Sequence, residues 1–106
     1  MNDIYFTVAG CNHYFGTEFM EKELKVTLEK EPDNEYDREA IMVKVKGLGK
    51  VGYVANSPHT VQGESMSGGR IYDKIGDKAN AEIVFVIPGA AICRLTDFGM
   101  SDEEGL

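Results

Sequence analysis

Ala40-Ile41-Met42-Val43-Lys44-Val45-Lys46, Gly47-Leu48-Gly49 and Lys50-Val51-Gly52-Tyr53-Val54 follow one another without a break. The first piece alternates, with Ile41, Val43 and Val45 on one face, which is the pattern of a half-buried strand. A short Gly-rich turn follows and then a second strand, so this stretch predicts a β-hairpin. Just upstream, Asn34-Glu35-Tyr36-Asp37-Arg38-Glu39 runs into the hairpin. Asn and Asp favour turns because their side chains bond the local backbone. Two readings stand for this turn. One is structural, with Asn34 and Asp37 satisfied locally and Tyr36 tucked at the rim of the core. In the other, an aromatic face beside hydrogen-bonding groups holds a flat base or sugar ahead of a rigid strand.

Outward from the hairpin, the chain reads as further short strands. Asp3 to Val8 mixes apolar and aromatic residues and stops at Gly10. Lys25 to Glu29 alternates, and Pro32-Asp33-Asn34 is a turn. Ala81 to Ile87 is rich in β-branched residues and ends at Pro88-Gly89, and Ala91 to Thr96 is a last strand. About six strands at this spacing predict a mainly β fold, a barrel or a sandwich. The exception is the segment from residue 57 to residue 76. Asn56-Ser57-Pro58 has the form of a helix start, with Ser57 as N-cap and Pro58 at the first helical position. Gly63, Gly68 and Gly69 each cost roughly 1 kcal/mol against Ala in a helix interior. The segment therefore predicts a frayed helix or two short pieces, the second around Arg70 to Ile75.

The chain has 106 residues, 42% of them hydrophobic, and a formal net charge of −7. That is one domain, long enough to bury a core without staples. No apolar run approaches the ~20 residues of a membrane span. Met1-Asn2-Asp3 lacks the positive region that opens a signal peptide, so a cytoplasmic location is expected, with Cys11 and Cys93 as free thiols. The domain is expected over residues 1–98, with an acidic, disordered tail over 99–106. The charge argues against an extensive grip on a nucleic-acid backbone but leaves room for a small site that reads an end. Acids crowd Glu18 to Glu39, whereas Lys44, Lys46 and Lys50 have no acid between them. Those lysines form either a weak basic stripe or a solvated outer face.

An ordered set of short motifs resembles the HIRAN domain family. Val8-Ala9-Gly10 leads to His13-Tyr14-Phe15-Gly16; Glu31-Pro32-Asp33-Asn34-Glu35-Tyr36-Asp37 follows a strand; then come Ala40-Ile41-Met42-Val43 and Gly49-Lys50-Val51-Gly52-Tyr53-Val54. The resemblance covers Ile4 to Leu95. The family occurs alone in bacteria and at the N-terminus of Swi/Snf-type DNA-remodelling ATPases. The resemblance implies an OB-like small β-barrel with a short helical insertion. It also implies a nucleic-acid-binding module that captures the 3′ end of single-stranded DNA: aromatic rings stack on the terminal bases and an Asp accepts the free 3′-hydroxyl. Carried over onto this sequence, Tyr36 is the stacking ring and Asp37 the hydroxyl acceptor. Asn34 either bonds a base or braces the turn. The aromatic position after the first strand falls on His13 or Tyr14, next to Asn12, and Tyr53 matches a polar aromatic position near the groove. Tyr14, Phe15 and Tyr53 have an alternative reading as core or rim residues, and His13 as an exposed loop histidine.

This sequence departs from the family pattern at three places. Glu35 stands where a Pro tends to precede the Tyr. Asn12 stands where the DNA-binding members have a basic residue before the first aromatic. Asn56 or Ser57 stands where a Lys could meet a phosphate. An added acid and two missing cations weaken a phosphate grip. The implied role is an adaptor for DNA-processing proteins, with no membrane partner.

Other chemistries fit less well. Cys11, His13, His59 and Cys93 are suitable in type and number for tetrahedral zinc, but Cys11-Asn12-His13 is not a usual zinc spacing and no CxxC is present. No metal or cofactor is expected. A calcium loop beginning at Asp33 fails, with Arg38 at its sixth position and Lys44 at its twelfth. Gly47-Leu48-Gly49-Lys50 is too short for a P-loop, and Ser65-Met66-Ser67 is no nucleophile elbow, so the chain reads as a non-enzyme. The alternative function is a protein-interaction module whose acidic surface suits a basic partner. A groove lined by Tyr36, His13 or Tyr14 and Asp37 would favour DNA. Tyr36 packed in the core would favour the interaction module.

Overall fold

The hairpin forms where the alternation places it. In the computed structural model, which describes residues 3–57, 59–63 and 65–99, β3 (Ile41–Val45) and β4 (Gly49–Val54) pair antiparallel around a turn closed by the Leu48 N–H on the Val45 carbonyl. Ile41 and Val43 are fully buried, and Val45 packs against the same core. The other strands are β1 (Tyr5–Ala9), β2 (Lys25–Lys30), β5 (Lys78–Ile87) and β6 (Ala90–Asp97). They close into a barrel in the order β1-β4-β3-β2-β5-β6, with every neighbouring pair antiparallel. The small β-barrel expected from the sequence is therefore present. Closure pairs every strand on both sides, which removes the free edges of an open sheet.

Alternation places Phe6, Val8, Leu28, Ile41, Val43, Val51 and Ile83 in the interior. The two thiols, Cys11 and Cys93, are also fully buried there. The barrel is not equally tight all round. β5 and β6 share a long ladder from Asn80 to Ile87, whereas β1 meets β4 through only Val8↔Val54 and Ala9↔Tyr53. The candidate site lies at that short seam.

The segment after β4 departs from the sequence reading. At Ser57 there is a turn rather than a first helical piece. The Ser57 hydroxyl accepts from the His59 N–H, as a cap would, but the Ser57 carbonyl takes the Thr60 and Val61 N–H groups and the Thr60 hydroxyl, and no helix propagates. Pro58, the proposed first helical residue, lies outside the described residues. The second piece is a helix of little more than one turn, α1 (Gly68–Tyr72), which starts before Arg70 and ends before Ile75. Between these pieces a stretch including Gln62, Ser65 and Met66 bonds to β1. Thr7 is completely buried beneath it, bonded to the Ser65 hydroxyl at 2.7 Å and accepting from the Gln62 N–H at 3.1 Å. Ile71 and Ile75 then join the core, and Lys30 donates to the Ile75 carbonyl while lying over the Tyr72 ring. The strand predicted to begin at Ala81 begins at Lys78, because Lys78–Ala81 pair with β2.

The lysines of the hairpin do not form a free basic stripe. Two of the three are paired with acids: Lys44 reaches Glu29 on β2 and Lys50 reaches Glu31 just after β2, each at 3.8 Å, which leaves Lys46 exposed in the turn. Such exposed pairs add little stability, about 0–1 kcal/mol, but they remove cationic surface. No helix among the described residues is long and apolar enough to cross a membrane. The acidic-tail expectation falls almost wholly on residues 100–106, outside the described residues.

Candidate nucleic-acid interface

Three separate segments meet at the β1–β4 seam. The first leaves β1 through Gly10, turns with φ 73°, and makes one 3-10 turn, Cys11–His13. Cys11 anchors it, buried and with its Sγ directed at the Val8 carbonyl. With that anchor inside, His13 and Tyr14 are held outside, Tyr14 with 41% of its surface exposed.

The second segment is the turn between β2 and β3. Asn34 organises it. Its Oδ1 accepts from the N–H groups of Tyr36 at 2.9 Å and Asp37 at 3.0 Å, and its Nδ2 donates to Glu31 at 3.1 Å. Of the two roles open to Asn34, bracing the turn is thus occupied in this structure. Asp37 continues the turn: its Oδ1 accepts from the Glu39 N–H at 2.8 Å, and its carbonyl accepts from Ala40. Tyr36 projects from this hydrogen-bonded frame with 90% of its surface exposed. A tyrosine left this bare buries almost no apolar surface in the fold, so its ring contributes little to stability.

The third segment is the end of β4 and the residues after it. Tyr53 donates its hydroxyl proton to Glu31 at 2.7 Å and accepts from the Lys50 ammonium at 2.8 Å. Lys50 lies 4.9 Å from the Tyr53 ring centre and 5.6 Å from that of Tyr14. Burial pushes the Glu31 carboxyl up, but hydrogen bonds from Tyr53 and Asn34 and the Lys50 charge outweigh it and hold Glu31 below the usual range. The bond to Tyr53, against the opposing effect of burial, raises Lys50, and burial is the main cause that raises Tyr53. The trio is thus fixed as carboxylate, phenol and ammonium, a buttress beneath the turn.

Together these segments enclose an open cleft of about 660 Å³. His13, Tyr14, Asn34, Tyr36, Asp37 and Tyr53 all line it, over a floor that includes Ala40, Val54 and Ala55. Asn12 is the exception among the residues singled out in the sequence: it does not line the cleft, and its amide faces the β5–β6 turn at Gly89. Two residues that matter here were missed as participants. Lys50 appeared in a run of lysines and within a family motif, and Asn56 in a helix-start signal and as a departure from the family pattern, neither of them as a site residue. Asn56 lines the cleft and donates to the Asp37 carboxylate at 3.1 Å. No spacing rule could have linked positions 37 and 56, which meet only through barrel closure. For zinc, no group of three or more His, Cys, Asp or Glu side chains among the described residues is placed to hold a metal. Cys11 and Cys93 are buried, whereas His13 and His59 are exposed.

The family model of the HIRAN domain matches residues 1–58, more than half of the chain and the part that carries all three segments. This chain belongs to the HIRAN domain family. HIRAN domains are nucleic-acid-binding modules, binding rather than catalytic in kind. Among solved structures, the crystal structure of the HIRAN domain of human HLTF resembles the chain with a TM-score of 0.65, covering 98% of this chain and 81% of that one. The two are 17% identical, so this likeness speaks to the HIRAN fold alone. No curated protein matches the chain.

Proposed function

We propose that this HIRAN domain captures the 3′-hydroxyl end of single-stranded DNA. The observation that carries the reading is the placing of an almost bare Tyr36 in one cleft with Asp37, His13 and Tyr14. An aromatic ring held at the lip of a cleft, with no packing duty of its own, suits stacking on a terminal base, and stacking tolerates any base. Asp37, beside it, offers acceptor lone pairs and no donor, which suits a hydroxyl and repels a phosphate. His13 and Tyr14 supply further rings in the same cleft. The charge balance fits an end rather than a long backbone track: Lys50, beside the cleft, already serves Glu31 and Tyr53. The interaction-module reading called for Tyr36 in the core, and its exposure favours the DNA reading instead. A module of this kind has no chemistry of its own and acts as an adaptor that delivers an end to DNA-processing proteins.

The test is fluorescence anisotropy at low salt with one short single-stranded oligonucleotide bearing either a 3′-hydroxyl or a 3′-phosphate. Tighter binding of the hydroxyl form, lost in Asp37→Ala, is the expected result. Equal affinity for both ends, or equal losses on both in Asp37→Ala, would refute end recognition.

A further inference from the structure

Asp37 is held from two sides. Its Oδ1 is held by the Glu39 N–H within its own turn, and its Oδ2 by Asn56 Nδ2, nineteen residues away. Asn56 is in turn held at its other end, where its Oδ1 accepts from the Gly69 N–H at 2.7 Å. These bonds determine the amide's orientation. A peptide N–H can only donate, so the carbonyl oxygen of Asn56 must face Gly69, and the NH₂ group then faces a carboxylate that can only accept. A Cβ at position 69 would stand 2.8 Å from Glu39 Oε1 and 3.1 Å from Asn56 Oδ1, so a side chain there would push the exposed Glu39 carboxylate aside and crowd the Asn56 amide.

We infer that Asn56 is a specificity-determining positioning residue that aims Asp37, and that it makes the segment between β4 and β5 part of the end-reading site. The inference rests on the proposed role of Asp37 as acceptor of a terminal hydroxyl. The terminal torsion of an Asp side chain is broad and two-fold, so one local bond leaves the carboxylate free to swing. A second bond from a remote, anchored donor fixes its plane. Each oxygen then keeps a lone pair in a set direction for one more donor. A hydroxyl supplies that donor, whereas a phosphate brings acceptors and negative charge to the same point. Selectivity for the end therefore depends on a bond that reaches across from another segment, as well as on Asp37 itself.

Asn56→Asp separates the two halves of this arrangement. The new carboxylate still accepts from Gly69 but no longer donates to Asp37, and it repels it. Melting temperature and binding of both oligonucleotide ends are measured on the full chain, for the wild type and for Asn56→Asp and Asn56→Ala. In both variants the preference for the 3′-hydroxyl should fall about tenfold or more, the factor that the loss of one hydrogen bond to a charged group gives. Added negative charge alone would penalise the 3′-phosphate more and widen the preference, so a collapse in Asn56→Asp points to lost aim. An unaltered preference in a folded Asn56→Asp refutes the role of Asn56 while leaving that of Asp37 standing. A wild type with no preference for either end refutes both.

Discussion

Gly52 gives the most direct test of how the barrel supports the cleft. A Cβ at this position would lie 2.7 Å from the Ala9 carbonyl oxygen, 2.8 Å from Val8 Cγ1 and 3.5 Å from Cys11 Sγ. Ordinary carbon contacts are at about 3.5–4.0 Å, so Gly52→Ala forces β1 and β4 apart by about half an ångström or more. Two of the opposed groups belong to the β1 backbone and to a fully buried valine, neither of which can swing aside. Overpacking of this kind costs about 1–3 kcal/mol. The stiffer unfolded chain returns about 0.4–1 kcal/mol of that. The net is a loss of about 1–2 kcal/mol. With about 2.1 cal/mol/K of unfolding entropy per residue over 106 residues, Tm should fall by about 4–9 °C. Thermal unfolding followed by far-UV circular dichroism, with urea titration alongside, measures it. The seam gives way first because β1 meets β4 through so few pairs, and Ala9, Gly10 and Tyr53 line the cleft. Oligonucleotide binding should therefore weaken in the same variant even at temperatures where it is folded. An unchanged or raised Tm would refute the close packing of β4 on β1 on which the site's geometry depends.

Tyr36→Ala should leave Tm unaltered, since the ring is exposed, yet weaken single-strand binding by about 1–3 kcal/mol, or roughly 5- to 150-fold in Kd. Tyr36→Phe should bind nearly as the wild type does, and equal affinity for wild type and Tyr36→Ala would rule out stacking by this ring. Burial, with the neighbouring Cys11 thiol adding to it, pushes the Cys93 thiol up to about 12 from 9.0. Because the folded value is the higher one, the stability it contributes is complete below pH 9 and is lost as pH rises toward 12. Unfolding free energy should therefore drop by about 1.4 kcal/mol per pH unit across that window. The drop should be shallower in Cys93→Ala, and identical slopes in the two proteins would contradict it.

The strands and their faces were legible in the chain itself. Alternation at Ile41, Val43 and Val45, and at Val26 and Leu28, reports burial directly, because successive side chains of a strand point to opposite sides. A Gly-rich turn between two such runs leaves only a hairpin. The turn at Asn34 was legible for the same local reason, since its bonds to Tyr36 and Asp37 span two and three residues. The motif order identified the family, and through it Tyr36, Asp37, His13 and Tyr14. The extent of the helical insertion was not legible. Ser57 and Pro58 form a sound local start signal, but Gln62, Ser65 and Met66 bond to β1 instead, where Thr7 and the Tyr5 carbonyl supply bonds that a helix would have made internally. Nor was the placing of Asn12, whose neighbour Gly89 belongs to a hairpin far along the chain. Local periodicity and turn chemistry act over a few residues, so the sequence alone determined the six strands, their inward faces and the braced turn. Only tertiary structure decided that Lys50 is occupied by Glu31 and Tyr53, that Tyr36 stands bare at a cleft, and that Asn56 holds Asp37. Each of those depends on barrel closure bringing together residues that no local rule connects.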